Sequence, residues 1–182
     1  MARKSPRTDI SVEEVRALLD FDPVTGVLTW KPRPTRVDHM RADGRWNARY
    51  ANKPVHLRAS KTYRAIRING ILYKAHRIAW LHYYGQWPGA IIDHKDGVRH
   101  TYRLDNLREA SYSLNAMNSR RRSDNASGMK GVDFVKRIGK WRARIGIGRA
   151  NKYLGVFDHP ESAQAAYRNA ANSLHGEFAR PD

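Results

Sequence analysis

The dipeptide Asn69-Gly70, set between Tyr63-Arg64-Ala65-Ile66-Arg67-Ile68 and Ile71-Leu72-Tyr73-Lys74, constrains this chain more than any other feature. Both central positions of a two-residue type I′ turn require positive φ, which Asn and Gly tolerate. Between alternating apolar runs the pair therefore predicts an antiparallel hairpin. Directly behind it, Ile78, Trp80, Leu81 and Tyr84 recur at helical spacing from Ala75 to Tyr84, and Gly85 supplies a stop. A hairpin running into a helix predicts an α+β architecture.

The flanking segments extend it. Ser11 can cap a helix whose apolar face is Val12, Val15, Leu18 and Leu19, with Glu14 reaching back as capping-box partner and Ile10 stapling onto Val15. A turn at 22–26 leads to a short strand at 27–30. Residues 32–54 are polar and broken by Pro and Gly, which predicts a long loop holding at most one weak strand. Strands are expected at 90–93 and 106–110, then a Ser111-capped helix to about Ser119. Residues 1–9 read as a disordered basic arm, 10–119 as a first domain and 120–128 as a basic linker. Residues 129–182 read as a second domain. Its strands fall at 131–135, 140–147 and 152–157. A helix capped by Asp158 follows, with Ala163, Ala166, Tyr167, Ala170 and Leu174 as its apolar stripe and Gly176 as its end.

Charge narrows the partner. Lys and Arg number 34 against 17 Asp and Glu, a net charge of +17 over 182 residues. Such an excess points to a polyanion, most often nucleic acid, because each neutralised phosphate releases condensed counterions; double-stranded DNA is the expected partner, and an RNA-binding or ribosome-associated protein is the alternative the charge also allows. There are no cysteines, which excludes disulfides and thiolate zinc sites. No His-Glu-x-x-His pattern is present, and His76 and His82 do not share a helix face, so zinc is disfavoured. No apolar run approaches the roughly 20 residues that span a bilayer, and the basic start has no apolar segment behind it. Neither a membrane association nor a small-molecule cofactor is expected.

The chemistry concentrates around Ile91-Ile92-Asp93-His94-Lys95-Asp96-Gly97, followed by Asp105-Asn106-Leu107-Arg108 and Leu114-Asn115. A strand ending in Asp-His, a returning strand and a helix form a ββα unit that turns Asp93 and Asn115 toward one small cavity. Both offer hard oxygen donors, which suit one Mg2+ or Mn2+ ion that keeps waters and bridges to phosphate. His94, with an ordinary imidazole pKa near 6.5, can take a proton from water at neutral pH.

These residues, with Tyr73-Lys74-Ala75-His76-Arg77-Ile78-Ala79-Trp80 ahead of them, resemble the HNH endonucleases of phage and intron homing type. The resemblance covers about residues 22–120 and implies a ββα-metal nuclease fold. It implies His94 as general base, Asp93 as a metal ligand and Asn106 as the catalytic-motif residue that orients the loop carrying His94. Asn115 would be the second metal ligand, with Asn118 competing for that place and His76 a further cleft candidate. Thr101-Tyr102 stands where family members often carry Asp-Asn, and Val98 where they often carry Asn or Asp. Those changes fall in the loop between the strands and bear on its hydrogen bonding.

The second domain reads as a DNA-binding module. Between Arg120 and Lys152 there are eleven Lys or Arg against two Asp. Along 140–147, Trp141, Ala143 and Ile145 share one face, and Lys140, Arg142 and Arg144 the other, so period-two alternation presents a basic sheet surface. A sheet can enter the major groove, where Arg reads guanine edges and flanking cations hold phosphates. Arg120, Arg121 and Arg122 add a basic tract. Lys130-Gly131-Val132, Gly139-Lys140-Trp141-Arg142-Ala143-Arg144-Ile145 and Tyr153-Leu154-Gly155-Val156-Phe157 resemble the AP2/ERF DNA-binding domain, a three-stranded antiparallel sheet plus one helix. That resemblance implies Lys130, Asp133, Arg142, Arg144, Asn151 and Tyr153 for the DNA face, with Asp133 where the family usually has Arg. The whole then reads as a metal-dependent, homing-type DNA endonuclease of a bacterial host's cytoplasm, acting as a monomer or a homodimer on DNA. The competing reading is a sequence-specific DNA-binding protein without catalysis.

Overall fold

The computed structural model describes residues 7–58, 63–119, 125–148 and 150–179. The chain divides into two compact units, Met1–Glu109 and Ala110–Asp182. No helix among the described residues is long and apolar enough to cross a membrane.

The first unit begins with α1 (Val12–Leu18), where the Ser11 side chain accepts from the Glu14 backbone N–H. The Glu14 carboxylate does not close the capping box. It accepts instead from the Asn69 carboxamide at 2.6 Å, tying the helix to the hairpin turn. β1 (Leu19–Phe21), which the sequence reading took as the end of the helix, pairs antiparallel with β2 (Leu28–Trp30). Their turn is fixed by Asp22, whose carboxylate accepts from Val24 and Thr25.

Residues 32–54 hold α2 (Met40–Tyr50), not the expected loop. Its anchors are side-chain contacts that a polar, Gly-containing sequence does not advertise. Trp46 packs edge-on against Trp30, the Arg33 guanidinium lies 3.9 Å above the Trp46 ring, and the buried Asp43 carboxylate binds Arg36. The hairpin β3 (Ala65–Ile68) and β4 (Ile71–Lys74) forms in the expected register, with Asn69 and Gly70 both at positive φ. α3 (Ala75–Tyr84) ends on a left-handed Gly85, and Arg16 donates to the carbonyls of His82 and Tyr83 near that end. One apolar core joins Val15, Leu19, Leu28, Ile66, Ile68, Ile78, Leu81 and Tyr102. β5 (Ile91–His94) pairs with β6 (Leu107–Ala110), which follows a 3-10 turn at Leu104–Asn106.

The second unit opens with α4 (Tyr112–Met117), capped by the Ser111 hydroxyl. β7 (Val132–Val135), β8 (Lys140–Ile147) and β9 (Ala150–Phe157) form an antiparallel sheet with β8 central, packed against α5 (Pro160–His175). The core is Val132, Ala143 and Ile145 from the sheet with Ala163, Tyr167 and Ala171 from the helix. Gly131 sits at φ 72°, and a Cβ there would collide with the Tyr167 ring and the Arg144 carbonyl. Two helix expectations are corrected. Asp158 does not cap α5; it pairs with Lys140 at 3.1 Å, while His159 occupies the cap position with no side-chain bond. The buried face runs through Ala163, Tyr167, Ala171 and His175 and leaves Leu174 exposed, because each step of four residues turns the face by about 40° and carries it away from Leu174 by the helix end.

Candidate active site

β5 delivers Asp93 and His94 side by side, both buried, at its C-terminal end. What fixes that end is Asn106. Its backbone carbonyl accepts from Lys95 N–H at 2.9 Å, its Oδ1 accepts from Asp96 N–H at 3.0 Å, and its Nδ2 donates to Thr101 Oγ1 at 2.8 Å. One side chain therefore grips both margins of the connecting loop. Asp96 accepts from Val98 N–H at 2.7 Å, and Gly97, at φ 66°, turns the chain by donating to the His94 carbonyl.

The departure at Thr101-Tyr102 keeps this loop bonded. The Thr101 hydroxyl accepts from Asn106 and lies 2.9 Å from the Val98 carbonyl and 3.4 Å from Asp96, with one proton to donate to either. Tyr102 is 4% exposed within the core, where burial pushes its phenol up to about 12. Leu104 N–H adds a bond to the Pro23 carbonyl. The loop is thus nailed into the core at one end and to the strand end at the other.

Asp93 meets a partner that sequence reasoning gave no role. Arg108, one strand away on β6, reaches its Oδ2 with Nε at 3.0 Å and Nη2 at 2.9 Å, and both side chains are nearly enclosed. The available signal was strand pairing: a cation on the returning strand can face the carboxylate on the first.

His94 is 3% exposed. Burial is the main force holding its pKa below 6.5, with Asp96 and Asp93 pulling upward and Arg99 and His100 downward. Its ring is therefore neutral at pH 7. His76 contacts it edge-on at 5.3 Å between centroids, and Tyr63 lies against both, 4.8 Å from His76 and 6.3 Å from His94. Burial, then the charge of His94, drives the His76 pKa well below 6.5. Its Nδ1 is buried with no hydrogen-bond partner among the described residues.

These imidazoles set an acid limit on the fold. His76, His82 and His94 all have native pKa values below 6.5, so near and below that pH the native chain holds fewer protons than the unfolded one. Stability is then complete above pH 6.5 and is lost as pH falls through it. Urea unfolding is expected to show a lower midpoint at about pH 5.5 than at about pH 7.5, and a smaller drop in His76→Phe. A midpoint independent of pH over that window would contradict the burial of these rings.

The remaining candidates lie in the second unit. Asn115 is half-buried on α4, and Asn118, at the helix end, is 6% exposed. Lys130 donates to the carbonyls of Met117 and Ser119 at 3.0 and 2.6 Å, so its ammonium serves the end of α4. Arg142 and Arg144 share the sheet face opposite α5, and both bind Asp133 of β7, at 2.7 and 3.0 Å. Burial works against it, but bonds and charge from these two arginines hold the Asp133 carboxyl below its usual range. Lys140 is engaged by Asp158, Asn151 is exposed, and Tyr153 is 59% exposed. Arg120, Arg121 and Arg122 lie outside the described residues. Among the described residues no group of three or more His, Asp or Glu is placed to hold a metal ion.

Comparison with known proteins bears on the first of these regions. Residues 73–117 match the HNH endonuclease family model. Over 92 residues the chain is 35% identical to Protein 3.8 of Escherichia phage T7, which covers 50% of this chain and 75% of that protein. No solved structure matches the chain. The matched segment takes in α3, the Asp93-His94 strand end, Asn106 and all of α4, and with that relative it shows that the chain belongs to the HNH endonuclease family.

Proposed function

We propose that this chain is a metal-dependent DNA endonuclease of homing type, which hydrolyses a phosphodiester bond at a site chosen by its C-terminal sheet. The observation that carries the reading is the three-point grip of Asn106, which fixes the strand end bearing Asp93 and a neutral His94. His94 takes a proton from water, the water oxygen bonds to phosphorus, and the bond from phosphorus to the 3′ oxygen breaks. The leaving oxygen departs with the electron pair and is protonated from solvent.

The reading calls for one Mg2+ or Mn2+ ion, and the hard oxygens of the Asp93 carboxylate suit such an ion. Asp93 contributes a carboxylate, and the family resemblance adds Asn115, with Asn118 as its competitor, all of them hard oxygen donors. Bound there, such an ion would offset charge on the phosphorane-like transition state and on the leaving oxygen. Arg108 holds the Asp93 carboxylate in one orientation.

The 129–182 module, AP2-like in sequence, is the targeting half, with the 120–128 linker joining it to the nuclease domain at 10–119. Tethering a weakly selective cleft to a sequence-reading sheet raises its local concentration at one site. Arg142, Arg144, Asn151 and Tyr153 supply the reading face, while Lys130, Lys140 and the Arg120–Arg122 tract belong to backbone binding. Arg144→Ala is expected to weaken binding to the cognate site more than to random duplex, as competition assays would read; an equal drop in both would make it a phosphate contact.

The direct test incubates the purified chain with supercoiled DNA and Mg2+ or Mn2+, then maps the cleavage ends on a genomic library. A monomer should nick and a homodimer should cut both strands. No relaxed product with either metal on any target would favour the non-catalytic binder.

A further inference from the structure

The Tyr63 ring beside His94 carries two cations that the reaction has not used. Lys74 Nζ, at the end of β4, lies 4.8 Å from the ring centroid. The Arg99 guanidinium, on the loop between β5 and β6, lies 5.5 Å from it. Both side chains belong to exposed residues, and among the described residues neither has a carboxylate partner. Two arginines near the strand end are occupied, Arg108 by Asp93 and Arg103 by Asp105. Two cations held within 5.5 Å of one ring centroid repel each other, and the weak attraction of the ring offsets only part of that. An anion between them removes the conflict.

We infer that Lys74 and Arg99, held over Tyr63, form a subsite for the DNA backbone phosphate that flanks the scissile one. The inference rests on the endonuclease reading for the identity of that neighbour. Tyr63 touches His94 and His76 with its ring while it positions the two cations, so a phosphate seated there is brought alongside the base. Arg presents a planar fork and Lys a compact charge, which lets the pair hold two oxygens of one phosphate. Tyr63 is then a positioning residue: it carries no charge to the DNA but sets where the two charges stand.

A binding assay free of cleavage tests this. The full chain is titrated with a 30-base-pair random-sequence duplex in EDTA over a range of salt. The Lys74→Ala/Arg99→Ala double variant is expected to flatten the slope of log K against log salt by about 1 to 2, since each contact to a phosphate contributes about 0.9. That alone would follow from any two lost charges. The discriminating variant is Tyr63→Leu, which keeps every charge. It should lose at least half of the affinity that the double variant loses, whereas Tyr63→Phe, which keeps the ring, should bind like the parent. Both substituted cations are exposed, so folding is not at stake for them, and a thermal melt checks the Tyr63 variants. A Tyr63→Leu protein that melts normally and binds like the parent, or a double variant with an unchanged slope, overturns the subsite. If the parent binds with the expected slope yet never cuts DNA, the endonuclease reading falls and the anion subsite stands. If the variants bind and cut as the parent does, the subsite alone falls.

Discussion

Replacing His94 with alanine is expected to lower the single-turnover cleavage rate by about 10²–10⁴-fold, the usual contribution of a positioned general base, while leaving duplex affinity close to that of the parent. The two effects separate because they arise from different groups. Proton abstraction needs one neutral imidazole, and burial keeps His94 neutral at pH 7. Affinity for a duplex comes from many Lys and Arg contacts to phosphate, of which His94 is none. His94→Gln should show the same kinetic loss with the side-chain volume largely kept. Because His94 also fills space beside His76 and Tyr63, a urea or thermal unfolding curve belongs with each variant. Loss of rate and affinity in parallel, in a protein that still folds, would make His94 a packing residue and remove the base from the mechanism.

The parts of this molecule that could be read from its sequence are those encoded by local chemistry. Asn69-Gly70 can take the positive φ values of a tight turn, Ser11 and Ser111 sit where a first helical turn needs an acceptor, and Gly85 adopts the left-handed conformation that ends α3. The same holds for Asn106: a carboxamide can accept from one side of a loop and donate to the other, and it does. What escaped the sequence depends on partners distant along the chain. α2 exists because Trp46 finds Trp30 and Asp43 finds Arg36; neither contact has a periodic signature. Glu14 abandons its capping role for Asn69, 55 residues away. Thr101, which departs from the family pattern, is the acceptor Asn106 uses. Arg108 had the right strand position to meet Asp93, yet composition and spacing could not distinguish it from the many other arginines of so basic a chain.

That pair leads to the largest expected effect on stability. Arg108→Leu removes the guanidinium from a carboxylate whose side chain is 5% exposed, and Arg108 itself is 10% exposed, so water cannot take its place without opening the strand pair. Breaking one side of such a buried pair typically costs about 3–5 kcal/mol, because the surviving charge is left desolvated. The intact pair is itself worth far less, since bringing both charges out of water offsets most of their attraction. The double variant Asp93→Leu/Arg108→Leu should therefore be more stable than Arg108→Leu alone, even though it carries more changes. Urea unfolding of the parent, both single variants and the double variant closes the cycle and isolates the coupling. If Arg108→Leu costs under about 1 kcal/mol, the pair behaves as a solvated surface bridge, and the fixed orientation of Asp93 on which the site depends is not held by β6. A large coupling, with cleavage lost in Arg108→Leu under conditions where the protein remains folded, would show that the same contact both stabilises the strand pair and aims the carboxylate.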